Sequence, residues 1–399
     1  MRTRQGLDQS NDIVANQTSV NSLFETGDWK HSLSAGVELM SERQITKTMA
    51  VPTGVVVPAA NLYQPDANTV LPLPVKNGAY TDGQTKTVAL YVFDGIDITD
   101  LWQVNSGVRY ERYSTETKLA SLSTAATHPT LPVGTLVPAN LDKNDHLLSW
   151  KLGSVYKVAK HGRLYGVVAT SLTPPGSANF SLSTTAANVN SKRAEPQKTT
   201  NLELGTKWDL LNNALAFTAA LYRTDNTNEI VQVDAVTNSF AQFGKRRVQG
   251  VELGVVGQIN PDWQVTAGVA TMKTKVLQGS TGNNAAGAAS RWSPNLTATL
   301  WSSYKIGSAW TVGGGAQYTS EQKRVIDPAA NLATQNMPTI AANWIANAVV
   351  SYQATRNVSM QLNVNNLFNK DYVATLNNSG ARYTPGMPRT ASLSANILF

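Results

Sequence analysis

The 399 residues carry 33 Lys and Arg against 26 Asp and Glu, a formal charge of +7, and they contain no cysteine. The absence of cysteine excludes disulfide frameworks, thiolate metal sites and cysteine nucleophiles. Because the basic residues form no Lys/Arg-rich run, the charge does not predict a nucleic-acid partner. Only 15% of residues are charged, well below a typical soluble protein, yet no run approaches the ~18 apolar residues of a membrane helix.

The first eight residues lack the apolar segment and small-residue cleavage site of a secretory signal. We therefore expect either a mature, trimmed protein or a sequence that starts inside a longer one. We treat residues 1–399 as one domain.

Apolar and polar residues alternate along much of the chain, beginning with a predicted strand near residues 11–26. In residues 201–210, Leu202 and Leu204 flank Glu203, a pattern that a helix would scatter around its axis. The alternation recurs in residues 215–221, 251–259, 263–269, 310–318 and 358–364, often with Trp or Tyr at the ends. This pattern predicts the strands and interfacial aromatic girdles of a membrane β-barrel. A soluble β-sandwich is the alternative.

The alternation also predicts the direction of individual side chains. We expect Leu202, Leu204, Leu215, Phe217, Val251, Leu253, Ile397 and Phe399 to face outward. Glu203 and Glu252 should face inward. A slip of one residue would reverse every assignment on a strand.

Short and long connections alternate strictly along the chain. Short turns are predicted near residues 26–28, 97–100, 158–162, 211–213, 260–262, 307–309 and 354–357. Long loops are predicted near residues 45–84, 118–144, 173–197, 234–239, 279–291, 325–337 and 368–388. Outer-membrane barrels have this asymmetry, with tight periplasmic turns and long external loops.

These connections join about 15 strands, an odd number for a barrel that normally has an even one. The first connection is short, so the first strand would descend towards the periplasm. We therefore expect that a complete barrel has further strands upstream that are absent from this sequence. The first and last strands of this sequence should then each lack a partner on one side.

Two segments near the carboxyl terminus resemble those of TonB-dependent receptors. Residues 365–372 read N-N-L-F-N-K-D-Y and resemble that family's N-L-F-[DN]-K-x-Y motif, while residues 385–390 resemble its P-G-x-P-R-T segment. Residues 201–205 and 247–253 are similar to its N-x-E-x-G and R-x-x-G-x-E strand patterns. The chain ends on an alternating strand with aromatic Phe399, which resembles the signal read by the outer-membrane assembly machinery.

The resemblance covers nearly the whole chain and is closest in character to ferric-catecholate receptors. It implies a transmembrane antiparallel β-barrel of about 22 strands around a plug, of which this chain would supply the last 15 or so without the plug. It implies a monomeric, non-enzymatic transporter in the Gram-negative outer membrane, with no cofactor. Its partners would be a ferric siderophore, outer-membrane lipid and lipopolysaccharide, and the TonB complex through the missing amino-terminal region.

Other chemistry has little support in the sequence. The four histidines, His31, His128, His146 and His161, form no metal-binding pattern. The glycine-containing stretch at residues 279–284 lacks the Gly-Lys-Ser/Thr of a phosphate-binding loop. We expect neither a metal site nor catalytic residues.

Basic and aromatic residues cluster near the predicted external openings. The candidate ligand contacts are Arg193, Arg246, Arg247, Arg291, Trp292, Arg324, Arg382 and Tyr383. A ferric tris-catecholate is anionic and aromatic, so guanidinium groups and ring faces would attract and stack on it. Contact with lipopolysaccharide, or simple solvation, is the alternative for each residue.

Two other functions remain open from the sequence. A passive porin would bind little and conduct ions, and the receptor-like terminal motifs argue against it. An outer-membrane lipase would need a serine and a histidine on one strand face, and an activity assay would separate it from a transporter.

Overall fold

The computed structural model is all-β. It describes residues 6–52, 54–59, 61, 64, 66, 68–177, 179–234, 239–279, 285–324, 339–377, 380 and 382–398. No helix in these ranges is long and apolar enough to cross a membrane.

One antiparallel sheet dominates the described part of the chain. Its strands are β1 (Asp8–Thr26), β2 (Trp29–Ala50), β3 (Val75–Asp97), β4 (Trp102–Leu122), β5 (Leu136–Ala159), β6 (Gly162–Thr173), β7 (Gln197–Leu210), β8 (Leu215–Asp234), β9 (Ser239–Asn260), β10 (Trp263–Thr271), β11 (Lys273–Gln278), β12 (Leu296–Ile306), β13 (Trp310–Thr319), β16 (Asn343–Gln353), β17 (Val358–Asn365) and β20 (Thr390–Ile397). Two small hairpins lie outside it: β14 (Gln322–Lys323) with β15 (Thr339–Ile340), and β18 (Val373–Leu376) with β19 (Tyr383–Pro385).

The predicted strand number is confirmed. Fifteen strands follow one another across the sheet from β1 to β20, and the sixteenth, β11, prolongs β10 beyond Met272 and pairs with β9. All seven short turns lie where the sequence predicts them. Among the described residues β1 pairs with β2 alone and β20 with β17 alone, so the expected open sheet is also confirmed.

Two of the long loops are shorter than predicted. The segment between β2 and β3 spans residues 51–74 and that between β4 and β5 spans residues 123–135, against predictions of 45–84 and 118–144. The strands extend beyond the alternating apolar residues and include polar residues such as Thr46 and Lys118. This is possible because main-chain hydrogen bonds do not depend on the type of side chain. Residues 235–238 and the whole predicted loop at 325–337 lie outside the described residues.

The two faces of the sheet differ as predicted. Leu204, Leu221 and Val251 occupy one row across β7, β8 and β9, and each is more than a third exposed on what we call the outer face. Glu203 and Glu252 have the opposite strand parity and lie on the inner face with the other polar residues. The remaining predicted outward residues also share the outer face, except Phe399, which is outside the described residues. An exposed apolar face on a single sheet does not fit a soluble sandwich.

Glycines next to the inward glutamates make room for tyrosines. A Cβ on Gly205 would lie 2.5 Å from the Tyr165 hydroxyl, and that hydroxyl donates to Glu203 Oε1 at 2.6 Å. Likewise, a Cβ on Gly250 would lie 2.8 Å from the Tyr222 hydroxyl. In both strand patterns, the glycine therefore leaves room on the inner face for a tyrosine of the neighbouring strand.

The buried core lies between the inner face and the segment at residues 174–196. Leu182 is only 3% exposed, and its backbone N–H donates to Thr117 Oγ1 at 2.8 Å. The segment approaches β3 most closely at Gly83, where a Cβ would lie 2.4 Å from the Phe180 carbonyl oxygen. This connection is thus packed against the inner wall.

The motif at residues 365–372 is a structural junction centred on buried Asn366. Its side-chain amide donates to the Lys370 and Met387 carbonyls, each at 2.9 Å, and its oxygen accepts from the Lys370 N–H at 2.8 Å. Its φ of 48° suits asparagine. The residue ties the end of β17 to the segment leading into β20.

Replacing Asn366 should destabilise this junction. In Asn366→Ala three side-chain hydrogen bonds are lost and buried backbone groups lose partners, so we expect the free energy of unfolding to fall by about 2–4 kcal/mol. Heat-dependent unfolding, read as loss of the compact band in gel electrophoresis, measures it. The matched control is Asn365→Ala at the exposed neighbour. Equal thermal stability of the two variants would contradict this account.

Enlarging Gly83 should displace the segment at residues 174–196. A methyl group in Gly83→Ala cannot fit against the Phe180 carbonyl oxygen, so the segment must shift. We expect faster trypsin cleavage after exposed Lys192 and Arg193. Gly268→Ala is the control, because its Cβ would meet no atom closer than 3.6 Å. Unchanged cleavage in Gly83→Ala would show that the segment is not held there.

Candidate functional site

Arg246 lies on the inner face near the long-loop end of β9. Its Nη1 donates to Ser290 Oγ at 2.9 Å, and its Nη2 lies 3.3 Å from Glu229 Oε2. The segment between β11 and β12 is thereby attached to β9. This segment also binds β11 directly, because the Val276 N–H donates to the Ala288 carbonyl at 2.7 Å.

Trp292 belongs to the same segment and connects it to the residues after β13. It has a φ of 55°, unusual for a bulky residue, and its backbone N–H donates to the Lys323 carbonyl at 2.8 Å. Arg324 follows Lys323 directly. The structure therefore brings Arg246, Trp292 and Arg324, which we call the donor cluster, into one neighbourhood.

The donor cluster contains three buried N–H groups without partners. Arg246 Nε, Trp292 Nε1 and Arg324 Nε make no hydrogen bond in the described part of the chain. A buried donor without a partner costs about 1–3 kcal/mol, so such groups call for an explanation. All three are donors only, which suits a ligand rich in acceptor oxygens.

The other predicted contacts lie on different segments. Arg291 is exposed beside Trp292, and Arg193 is exposed near the end of the segment at residues 174–196. Arg382 and Tyr383 lie on the β18–β19 hairpin, where Tyr383 is 68% exposed. Of these four residues, only Arg291 adjoins the donor cluster in sequence.

Arg247 faces the opposite way from Arg246. It shares the outer face with Val251, and its guanidinium forms a two-point ion pair with Asp225, with Nε–Oδ1 at 2.7 Å and Nη2–Oδ2 at 3.0 Å. Neighbouring residues of a strand point to opposite faces. The strand pattern through Val251 could have separated the two arginines at the sequence level.

An ion-pair network that the sequence did not predict lies on the inner face of β2 and β4. Arg109 Nη2 lies 2.9 Å from Glu38 Oε1 and 2.6 Å from Glu111 Oε1. The three side chains bind one another and so form a polar wall on the inner face. The spacing of two between Arg109 and Glu111 was the available signal, but Glu38 comes from a distant part of the chain.

No group of three or more His, Asp or Glu side chains in the described ranges is arranged to hold a metal ion. Two of the histidines instead have side-chain partners. His31 Nδ1 lies 2.7 Å from Asp94 Oδ2, and His146 Nδ1 lies 2.7 Å from the Tyr110 hydroxyl.

Comparison with known proteins gives a consistent result. The family profile described as "TonB dependent receptor-like, beta-barrel" matches residues 2–367. The chain is 38% identical to the catecholate siderophore receptor Fiu of Escherichia coli strain K12, over 100% of this chain and 52% of that protein. It thus spans about half the length of the curated relatives it matches.

Solved structures share the architecture. The closed form of the ferric-catecholate import receptor Fiu from E. coli K12 has a TM-score of 0.89 and 36% identity, over 98% of this chain and 55% of that chain. The siderophore receptor PiuA from Acinetobacter baumannii has a TM-score of 0.77 and 24% identity, over 98% and 56% respectively, which shows a shared fold.

The sheet topology, the alternating faces and the family match over most of the chain agree with one another. The chain belongs to the TonB-dependent receptor β-barrel family and is an outer-membrane β-barrel protein.

Proposed function

We propose that residues 1–399 are a partial barrel domain of a TonB-dependent transporter that takes up a ferric siderophore of the catecholate class. The observation that carries this proposal is the donor cluster, with three buried, unpartnered N–H groups near the external end of the inner face. The likeness to a catecholate siderophore receptor supports the same substrate class.

The chemistry of the donor cluster complements that of the proposed ligand. A ferric tris-catecholate presents negatively charged oxygens, which accept charge-assisted hydrogen bonds from Arg246 and Arg324. Its aromatic rings can stack on Trp292 or on a guanidinium face. Arg291, Arg193, Arg382 and Tyr383 are proposed to extend this surface for the first encounter with the ligand.

These residues would capture the ferric siderophore. The energy for transport would come from the TonB complex through a region outside this chain. We propose that the barrel acts as a monomer and that lipid and lipopolysaccharide surround its outer face. A passive porin would leave the unpartnered donors without a purpose, and no observation favours a lipase.

Removing the arginine donors should weaken ligand binding. A charge-assisted hydrogen bond contributes about 1.5–3 kcal/mol, so Arg246→Gln and Arg324→Gln should each weaken binding of a ferric catecholate by roughly ten- to hundred-fold. Equilibrium binding on cells that express the complete reading frame, normalised to surface protein, measures the effect. Arg246→Lys should recover only part of the loss, because lysine keeps the charge but lacks the planar fork.

The control for this test is Arg356→Gln. Arg356 is exposed in the short turn before β17, at the opposite end of the strands, so binding should be unchanged. Wild-type affinity in the double variant Arg246→Gln/Arg324→Gln, at normal surface level, would rule out the donor cluster as the ligand site.

A further inference from the structure

Glu229 on β8 is an inner-face carboxylate that contacts the donor cluster directly. Its Oε2 lies 3.3 Å from Arg246 Nη2, and its Oε1 accepts a hydrogen bond from Asn226 Nδ2 at 2.9 Å. The side chain is only 18% exposed. Both carboxylate oxygens therefore have a partner, and the carboxylate is fixed beside the guanidinium group.

This contact belongs to a chain of hydrogen bonds along the inner face. At one end, Thr199 Oγ1 on β7 donates to Asn226 Oδ1 at 3.2 Å. At the other end, Ser290 accepts from Arg246 and donates its backbone N–H to Thr274 Oγ1 on β11 at 2.7 Å. A connected polar network of this kind restricts the movement of its members. The barrel wall thus holds the carboxylate beside Arg246.

The ion pair also fixes the direction of the unpartnered donor of Arg246. Its Nη1 binds Ser290 and its Nη2 binds Glu229, while the buried Nε has no partner in the described part of the chain. Because both terminal nitrogens are engaged, the plane of the guanidinium group is set. The position of Nε then decides which acceptor oxygen of a ligand it can reach.

The carboxylate lowers the positive charge of the donor cluster. Arg246 and Arg324 are both permanently charged, and Glu229 offsets one of these charges at ion-pair distance. Trp292 supplies a donor without charge. An anionic ligand would therefore meet three well-placed N–H groups and less positive charge than the two arginines alone would provide.

We propose that Glu229 is a specificity-determining residue of the donor cluster. Its carboxylate holds Arg246 in place and at the same time repels an anionic ligand. The repulsion grows in proportion to the charge of the ligand, so Glu229 lowers the preference of the cluster for the more highly charged of two complexes of equal shape. This inference rests on the proposed capture of a ferric catecholate by the donor cluster.

A balanced charge suits a site that must pass its ligand on. Transport requires binding that is favourable enough for entry and weak enough for release. Arginines without a carboxylate would hold the most highly charged complexes most strongly. With Glu229 present, selection depends more on where the acceptor oxygens of the ligand lie, since hydrogen bonds need defined distances and angles.

The test compares two tris-catecholate complexes that differ in charge and very little in shape. Gallium(III) replaces iron(III) without a change in charge, while germanium(IV) in the same ligand gives a complex with one negative charge fewer. Binding of each complex to the purified protein from the complete reading frame is measured by isothermal titration calorimetry. The quantity compared between variants is the dissociation constant of the germanium complex divided by that of the gallium complex.

In Glu229→Gln this ratio should rise by about three- to thirty-fold. The range corresponds to one unit of charge at about 7 Å, with an effective dielectric constant between about 25 and 80. Glutamine has nearly the shape of glutamate but no charge, so loss of the repulsion favours the gallium complex more. Glu229→Asp keeps the carboxylate and should keep the wild-type ratio, even if both affinities fall because the shorter side chain shifts Arg246.

The matched control is Glu111→Gln. Glu111 is likewise an inner-face carboxylate bound to an arginine, at 2.6 Å from Arg109 Nη2, but it lies on β4, outside the donor cluster. Its replacement should leave the ratio unchanged. The increase in Glu229→Gln should also become smaller at high salt, because mobile ions screen charges that solvent reaches.

An unchanged ratio in Glu229→Gln would overturn the proposal. Equal weakening of both complexes would show that Glu229 only holds Arg246 in place, and an equal rise in Glu111→Gln would show a general effect of inner-face charge. Wild-type affinity for both complexes in Arg246→Gln/Arg324→Gln would instead rule out the donor cluster itself. If that double variant binds weakly while the ratio in Glu229→Gln is unchanged, the inference about Glu229 fails and the proposed capture site stands.

Discussion

The need to satisfy every backbone N–H and C=O group inside a bilayer governs this structure. In lipid no water is available to replace a missing partner, so the chain crosses as hydrogen-bonded strands. Antiparallel pairing then forces side chains to alternate between the two faces. The consequence at residue level is sharp: Arg246 and Arg247 are neighbours in sequence, yet one contacts Ser290 on the inner face and the other Asp225 on the outer face.

Features that follow from this alternation could be predicted from sequence. Strand number, the positions of short turns and the directions of Glu203 and Glu252 depend only on the local pattern, and the structure agrees with them. Strand length depends on main-chain pairing as well. β2 and β3 therefore run beyond the point where apolar residues stop alternating, and the long loop between them is shorter than the pattern suggests.

The packed core and the donor cluster could not be predicted in the same way, because they depend on residues far apart in the chain. The Leu182 N–H binds Thr117, 65 positions away, and Arg246 binds Ser290, 44 positions away. Arginine and tryptophan near a predicted loop indicated ligand contact, but only the three-dimensional contacts separate Arg246 from Arg193 and Arg382. Arg246, Trp292 and Arg324 share a buried donor without a partner among the described residues. A sequence pattern alone does not reveal this property.

The same alternation allows one hairpin to serve two environments without conflict. On β8 and β9, Asp225 engages Arg247 on the outer face while Glu229 engages Arg246 on the inner face. Because the sheet separates them, a change in the outer ion pair need not disturb the inner one. Alternate basic residues along one strand therefore form two separate ion pairs, one on each face of the sheet.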